Sequence, residues 1–356
     1  MRLVDELAGQ PPEAHAESVR RSGSRYRGRL FVDHLLGAAK RCLPADPDGS
    51  RSFAMAALAA VDEGRAGARA ATQAARALAL IGNSRRIQGA IAEAERDFQQ
   101  ARRLMNRSGL ADALASAEVD WLEGALRKRQ RRLTEAEDLV SRSVLLYRLA
   151  NDAPGAARAL LSLSDIYRLQ GDLDAALDAV YKALGSFERA TDPILYLYAR
   201  YDLAYNLYSS GRFKEALEHL VFDEDEYEAC EDPFVRLLRL WLAAKLGAEL
   251  ADASAEPQFL EVRRLLAGRP LDLAHVALDL ALLYFRLGRF DDVKKVAAEA
   301  AALFEAQSVH REVLAALLLF REAAFAQRVT DDLIRRVASV LERAKADPSL
   351  RLDAET

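Results

Sequence analysis

Apolar residues recur at intervals of three and four through most of the 356-residue chain. That spacing places them on one stripe of an α-helix. From about Arg25 onward the pattern predicts helix almost everywhere. Ala is abundant and β-branched residues are sparse, which favours helix over strand. Turn residues predict loops at Pro44–Gly49, Asn151–Gly155, Thr191–Pro193, Glu231–Pro233 and Gly268–Pro270. Residues 1–24 read as a partly flexible N-terminal segment, with Pro11–Pro12 breaking a short helix and Ser22-Gly23-Ser24 forming a joint. Residues 25–346 read as one repeat domain and 347–356 as a tail. The last helix, about Thr330 to Ala346, is amphipathic. Leu333, Ile334, Val337, Leu341 and Ala344 form one face and Arg335, Arg336, Glu342 and Arg343 the other, with Thr330 to Asp332 as the N-cap region. The preceding segment, Val313 to Phe325, is apolar on nearly all sides, as for a helix covered from two sides.

The chain is also similar to itself. Gly89-Ala-Ile-Ala-Glu-Ala94, Arg131-Arg-Leu-Thr-Glu-Ala136, Gly171-Asp-Leu-Asp-Ala-Ala176, Gly211-Arg-Phe-Lys-Glu-Ala216 and Gly288-Arg-Phe-Asp-Asp-Val293 share one logic. A helix ends, Gly (Arg in one unit) permits a tight turn, and a small residue opens the packing face of the next helix. Their first residues step by 42, 40, 40 and 77, the last step holding two periods with a degenerate unit near Trp241 to Leu266. A period near 40 in helical sequence predicts stacked helical hairpins, each too small to bury its stripe alone. Ala176 and Ala216, in the same phase of neighbouring units, are expected at close helix contacts.

These residues resemble tetratricopeptide repeat proteins, in the longer-repeat form of bacterial regulatory members. Leu163-Ser164 to Tyr167 with Gly171 and Ala176 match the family's first-helix Leu-Gly…Tyr, turn Gly and second-helix Ala. So do Leu203-Ala204 with Gly211 and Ala216, Leu280-Ala281 and Tyr284 with Gly288, and Ile81-Gly82-Asn83 with Gly89 and Ala94. The match spans Ala70 to Gln307, with a period longer than the family's usual one of about 34. The resemblance implies an all-α, right-handed superhelical solenoid of six or seven antiparallel hairpins whose first helices line a concave groove.

Composition narrows the class. At 51% apolar and 29% charged residues, the chain is too apolar for disorder and too charged for a membrane bundle. It has no run of about 18 apolar residues and no basic start typical of a secretory signal. Two cysteines, Cys42 and Cys230, exclude a disulfide scaffold and fit free thiols in a reducing cytoplasm. The histidines, His15, His34, His219, His275 and His310, show no metal-ligand spacing, and no phosphate-cradling or nucleophile motif is present. No metal, cofactor or catalytic residue is expected, and the carboxylates read as solvated helix faces.

Charge is uneven: residues 1–150 hold 25 basic and 19 acidic residues, the remainder 25 and 35. The run Arg127-Lys-Arg-Gln-Arg-Arg132 invites a nucleic-acid reading, but cations at a helix C-terminus before a turn are the better account. Asp223-Glu-Asp-Glu226, with Glu228, Glu231 and Asp232, reads as an exposed inter-repeat loop.

Tyr198, Tyr201, Tyr205 and Tyr208 share one helix stripe, with Tyr196 nearby. Leu203, Ala204 and Leu207 already supply a packing face, so the stripe falls at the groove positions of the resemblance. The same register adds Arg76, Asn83 and Arg86, then Trp121 and Lys128, then Asp165 and Arg168, and finally His275, Leu278, Leu282 and Phe285. These residues predict a non-enzymatic scaffold binding a protein or peptide in its groove. One alternative is a bacterial regulatory sensor controlling a transcription or signalling partner. Another is a nucleic-acid-binding repeat using the basic N-terminal half; no helix-turn-helix is recognisable in Met1 to Ala60, which weakens direct DNA binding.

Overall fold

The computed structural model describes residues 2–22, 28–43, 46–61, 67–108, 112–267, 269–305, 318, 320–321, 324–325 and 329–346. The tail 347–356, most of 313–325, His310, Gly23, Ser24 and Gly268 lie outside the described residues. Among those described, the chain is helical and contains no strand. The helices are α1 (Arg2–Ala8), α2 (His15–Arg21), α3 (Arg29–Cys42), α4 (Pro47–Ala60), α5 (Ala68–Ile87), α6 (Ile91–Ser108), α7 (Ala113–Arg129), α8 (Leu133–Leu149) and α9 (Ala153–Gln170). They continue with α10 (Leu173–Leu184), α11 (Pro193–Ser209), α12 (Phe213–Phe222), α13 (Glu224–Ala229), α14 (Pro233–Leu250), α15 (Ala255–Leu265), α16 (Pro270–Arg286), α17 (Phe290–Glu305) and α18 (Asp331–Ala346).

The chain forms two compact units, one of 1–172 and 185–187, the other of 173–184 and 188–356. In the first, α3 packs on α4, α5 on α6 and α7 on α8, and each hairpin packs on the next. In the second, α11 packs on α12, α14 on α15 and α16 on α17, with α18 against α16. This is the helical-repeat stacking expected from the period near 40. In the N-terminal segment α1 packs on α3 and α2 on α4, burying Leu7 and Val19. His15 is a core residue there, with Nδ1 at 2.9 Å from Ser52 Oγ.

The hairpin turns explain the period. Gly89, Arg131, Gly171, Gly211, Ala251 and Gly288 all have φ between 59° and 86°. The amide after each turn residue donates to the carbonyl five positions earlier, as Asp172 does to Tyr167 at 2.9 Å and Asp252 to Gly247 at 2.8 Å. That bond satisfies carbonyls the ending helix leaves open. Ala251 is the turn of the degenerate unit, 40 positions after Gly211. The motif is hidden because a residue with a Cβ occupies the left-handed conformation, which costs roughly 1–2 kcal/mol. Ala94, Ala136, Ala176 and Ala216 are all buried five positions after their turns; in α15 the small residue is Ala255, packed against Gly247.

The acidic stretch is a correction. It folds as α13, and Asp223, read as exposed, is buried against Arg200. Glu224 pairs with Arg239 and Glu226 with Arg189. The carboxylates of α7 also depart from a solvated face. Glu118, Asp120 and Glu123 are buried and ion-paired, Asp120 with Arg142 at 2.5 Å and Glu123 with Arg102 at 2.6 Å. Removing such charges from water requires close partners, and here arginines of adjacent helices supply them. Ala117 and Gly124, also on α7, let α8 approach; a Cβ on Gly124 would stand 2.5 Å from Val140 Cγ2. No helix among the described residues is long and apolar enough to cross a membrane.

Candidate functional site

The first helices of each unit carry polar contacts one repeat apart. In the first unit, Gln73 Nε2 on α5 donates to Asp33 Oδ1 on α3 at 3.1 Å. Arg76, also on α5, grips Glu118 of α7 through Nε at 2.7 Å, and Lys40 of α3 pairs with the same carboxylate. Trp121 Nε1 on α7 donates to Ser162 Oγ on α9 at 2.8 Å. Lys128 reaches Asp165, which also pairs with Arg168. Burial opposes the Asp165 charge, but Lys128 and Arg168 outweigh it and hold the carboxyl below the usual range. Arg76, Trp121, Lys128, Asp165 and Arg168 therefore share a first-helix face, held by charge and hydrogen bonds.

Asn83 and Arg86 lie differently. Asn83 is only 3% exposed and accepts from Arg86 Nε at 2.9 Å. Burial, with Arg129 adding repulsion, lowers the Arg86 guanidinium to about 10. The basic run after them is engaged within the chain. Arg127 binds Glu95 at 2.6 Å and Glu123 at 2.9 Å, and Arg132 binds Glu135 at 2.6 Å. Charge-assisted pairing at the end of α7 accounts for these cations.

In the second unit the tyrosine stripe lies along α11. Tyr201 and Tyr205 stack at 5.9 Å and 14°, and Tyr205 and Tyr208 at 6.2 Å and 22°. The rings are half-buried, while Leu203, Ala204 and Leu207 take the core side. Tyr198 stands apart, against a small cluster of Leu197, Tyr227, Cys230 and Val235. Burial and nearby Asp232 push its hydroxyl up to about 12. Burial also raises Tyr208 above the usual range.

Beside Tyr201 and Tyr205 lies a cavity of about 200 Å³. Its other walls are Phe234, Leu237, Leu238, Trp241, Leu242 and Lys245 of α14, then Leu266, Arg269 and Asp272. On α16, Asp279 accepts from Trp241 Nε1 at 2.7 Å and from Lys245 Nζ at 2.9 Å. Burial opposes the Lys245 charge, but Asp279 outweighs it and holds the ammonium above the usual lysine range. His275 and Leu278 are buried, His275 being 5% exposed, so neither presents a surface side chain. Phe285 is half-buried, edge-on to Phe290 at 6.0 Å.

Phe234, Trp241 and Lys245 were not legible as a site because their unit lacks its turn Gly; Arg269, Asp272 and Asp279 belong to the next first helix, where the register singled out other positions. The spacing of Trp241 and Lys245, four apart on a helix, is the signal that could have found those of α14. Among the described residues, no group of three or more His, Cys, Asp or Glu side chains gathers as metal ligands would.

The tetratricopeptide repeat model matches residues 116–189, the stretch from α7 through α10. No curated protein sequence matches the chain. A Rap protein complexed with competence and sporulation factor is similar in fold, with TM-score 0.65, 12% identity, and coverage of 89% of this chain and 88% of that one. Aspartyl phosphate phosphatase F from Bacillus subtilis has TM-score 0.53 and 12% identity, covering 91% and 83%. The Rap conjugation gene regulator of plasmid pLS20, in complex with the Phr* peptide, has TM-score 0.51 and 13% identity, covering 93% and 96%. At such identities the likeness is one of fold. Residues 116–189 are tetratricopeptide repeats, and the chain has the helical-repeat fold that goes with them.

Proposed function

We propose that the chain is a non-catalytic helical-repeat protein that binds a protein or peptide segment on its first-helix faces. The observation that carries this reading is the cavity beside Tyr201 and Tyr205, walled by aromatic rings from two consecutive first helices. Rings held by packing offer large contact area at low side-chain entropy cost. Arg76, Trp121, Lys128, Asp165 and Arg168 extend the reading to the first unit, and Tyr198, Tyr208 and Phe285 to the second. Two fold relatives, described as complexes with a factor and with a peptide, support it. All three relatives share fold alone with the chain, and one of them is described as a phosphatase.

Panning a displayed library of random linear peptides against the full chain tests the reading. Enriched peptides are expected to bind Tyr205→Ala at least tenfold more weakly, with the variant's melting temperature within a few degrees of the parent. No enrichment, or binding indifferent to Tyr205→Ala and Trp241→Ala, would overturn it.

A second reading, a regulatory sensor, is favoured by the relative described as a gene regulator in complex with a peptide. It requires binding to shift a conformational equilibrium. Small-angle scattering with and without an enriched peptide separates the two: an unchanged radius of gyration leaves the scaffold.

A further inference from the structure

The cavity beside the tyrosine stripe specifies the kind of group that enters it. Its volume, about 200 Å³, falls below the roughly 300–1,000 Å³ of small-molecule sites. It has room for one large side chain. Its walls are mostly rings and leucines: Tyr201, Tyr205, Phe234, Trp241, Leu237 and Leu238. The indole N–H of Trp241 is engaged by Asp279 at 2.7 Å, and Lys245 Nζ stands 5.6 Å from the ring centroid.

The charges in the wall are balanced. Lys245 stands 2.9 Å from Asp279, and Arg269 stands 2.7 Å from Asp272. A charged group entering this space would lose its hydration and find a counter-ion only by breaking an existing pair, which is unfavourable. A neutral apolar group meets no such cost and gains by removing its own surface from water. The mouth is open to solvent, with Phe234 41% exposed and the Arg269 side chain 51% exposed.

We infer that the cavity takes one bulky uncharged side chain, aromatic or branched aliphatic, as the anchor of a peptide lying over α11 and α14. This rests on the peptide-binding reading. Anchors of this kind fill desolvated pockets and dominate binding, while the surrounding contacts exclude water.

The N-acetyl amides of tryptophan, phenylalanine, leucine, lysine and glutamate are the probes. Each is titrated into the full chain while the indole N–H resonances are followed by NMR, and Trp241→Phe assigns the Trp241 signal. The three apolar amides are expected to shift the Trp241 resonance saturably. The charged amides should produce no saturable shift. Leu238→Trp, which fills the cavity, should weaken the apolar amides at least tenfold. Phe234→Ala, at an exposed rim position where folding is little affected, should weaken them too. No saturable shift by the apolar amides, equal binding of charged ones, or indifference to both variants would overturn the inference. If library peptides bind through Tyr205 while the amides fail, the anchor falls and peptide binding stands. If the amides bind and no peptide is enriched, the cavity chemistry stands and peptide binding falls.

Discussion

Asp279 accepts the indole N–H of Trp241 at 2.7 Å across 38 positions of sequence. Lys245 Nζ reaches the other oxygen of the same carboxylate at 2.9 Å. One residue of α16 thus fixes the ring plane and the cation that wall the cavity on α14. Asp279→Ala strands a partly buried N–H and an ammonium, which should cost about 1–3 kcal/mol. A double-mutant cycle with Trp241→Phe should give a coupling of about 1 kcal/mol. Urea denaturation of the four proteins measures it; strict additivity would show that the contact contributes nothing.

Ala251 and Gly171 sit at equivalent turns, with φ of 59° and 86°. A Cβ on Gly171 would meet nothing within 4 Å, so its cost is purely backbone strain. Gly171→Ala should destabilise by about 1 kcal/mol, and Ala251→Gly should stabilise by about the same. Urea midpoints at unchanged slope are the readout. A destabilised Ala251→Gly would contradict the left-handed turn in the α14–α15 hairpin.

Ala176 and Ala216 are fully buried at the starts of α10 and α12. Leucine in place of either should overpack the helix contact and cost about 1–3 kcal/mol. If thermal melting of Ala176→Leu and Ala216→Leu coincides with that of the parent, the packing register given by the turns is wrong.

Asp165 titrates below its ordinary range because Lys128 and Arg168 outweigh the opposing burial. Its folded pKa therefore lies under the unfolded value of about 3.9. The stability it contributes is fully present above that value and is lost as pH falls through the folded pKa. Asp165→Asn should be less stable than the parent at pH 7, and the gap should close on acidification below about pH 4. Unfolding free energies from pH 7 down to pH 3 check this; a gap independent of pH would exclude the ionised form as its source.

The sequence by itself determined the helices, the hairpin period and the turns that carry glycine. Those features depend on local physics: apolar spacing sets the stripe, and a residue without a Cβ marks the left-handed turn. The stripe Tyr201–Tyr205–Tyr208 was legible for the same reason, since positions three and four apart on a helix must share a face. Only the tertiary structure decided what lies outside that local range. Ala251 takes a glycine's conformation because the packing of Ala255 on Gly247 holds the hairpin closed. Asn83, His275 and Leu278 occupy first-helix positions, yet neighbouring helices cover them. The charges of Asp223–Glu226 looked exposed because partners such as Arg200 lie on another helix. The cavity wall at Trp241, Lys245 and Asp279 exists only once two helices 38 positions apart are stacked. Burial and pairing between distant residues are properties of the stack, and no local pattern encodes which side of a helix its neighbours will cover.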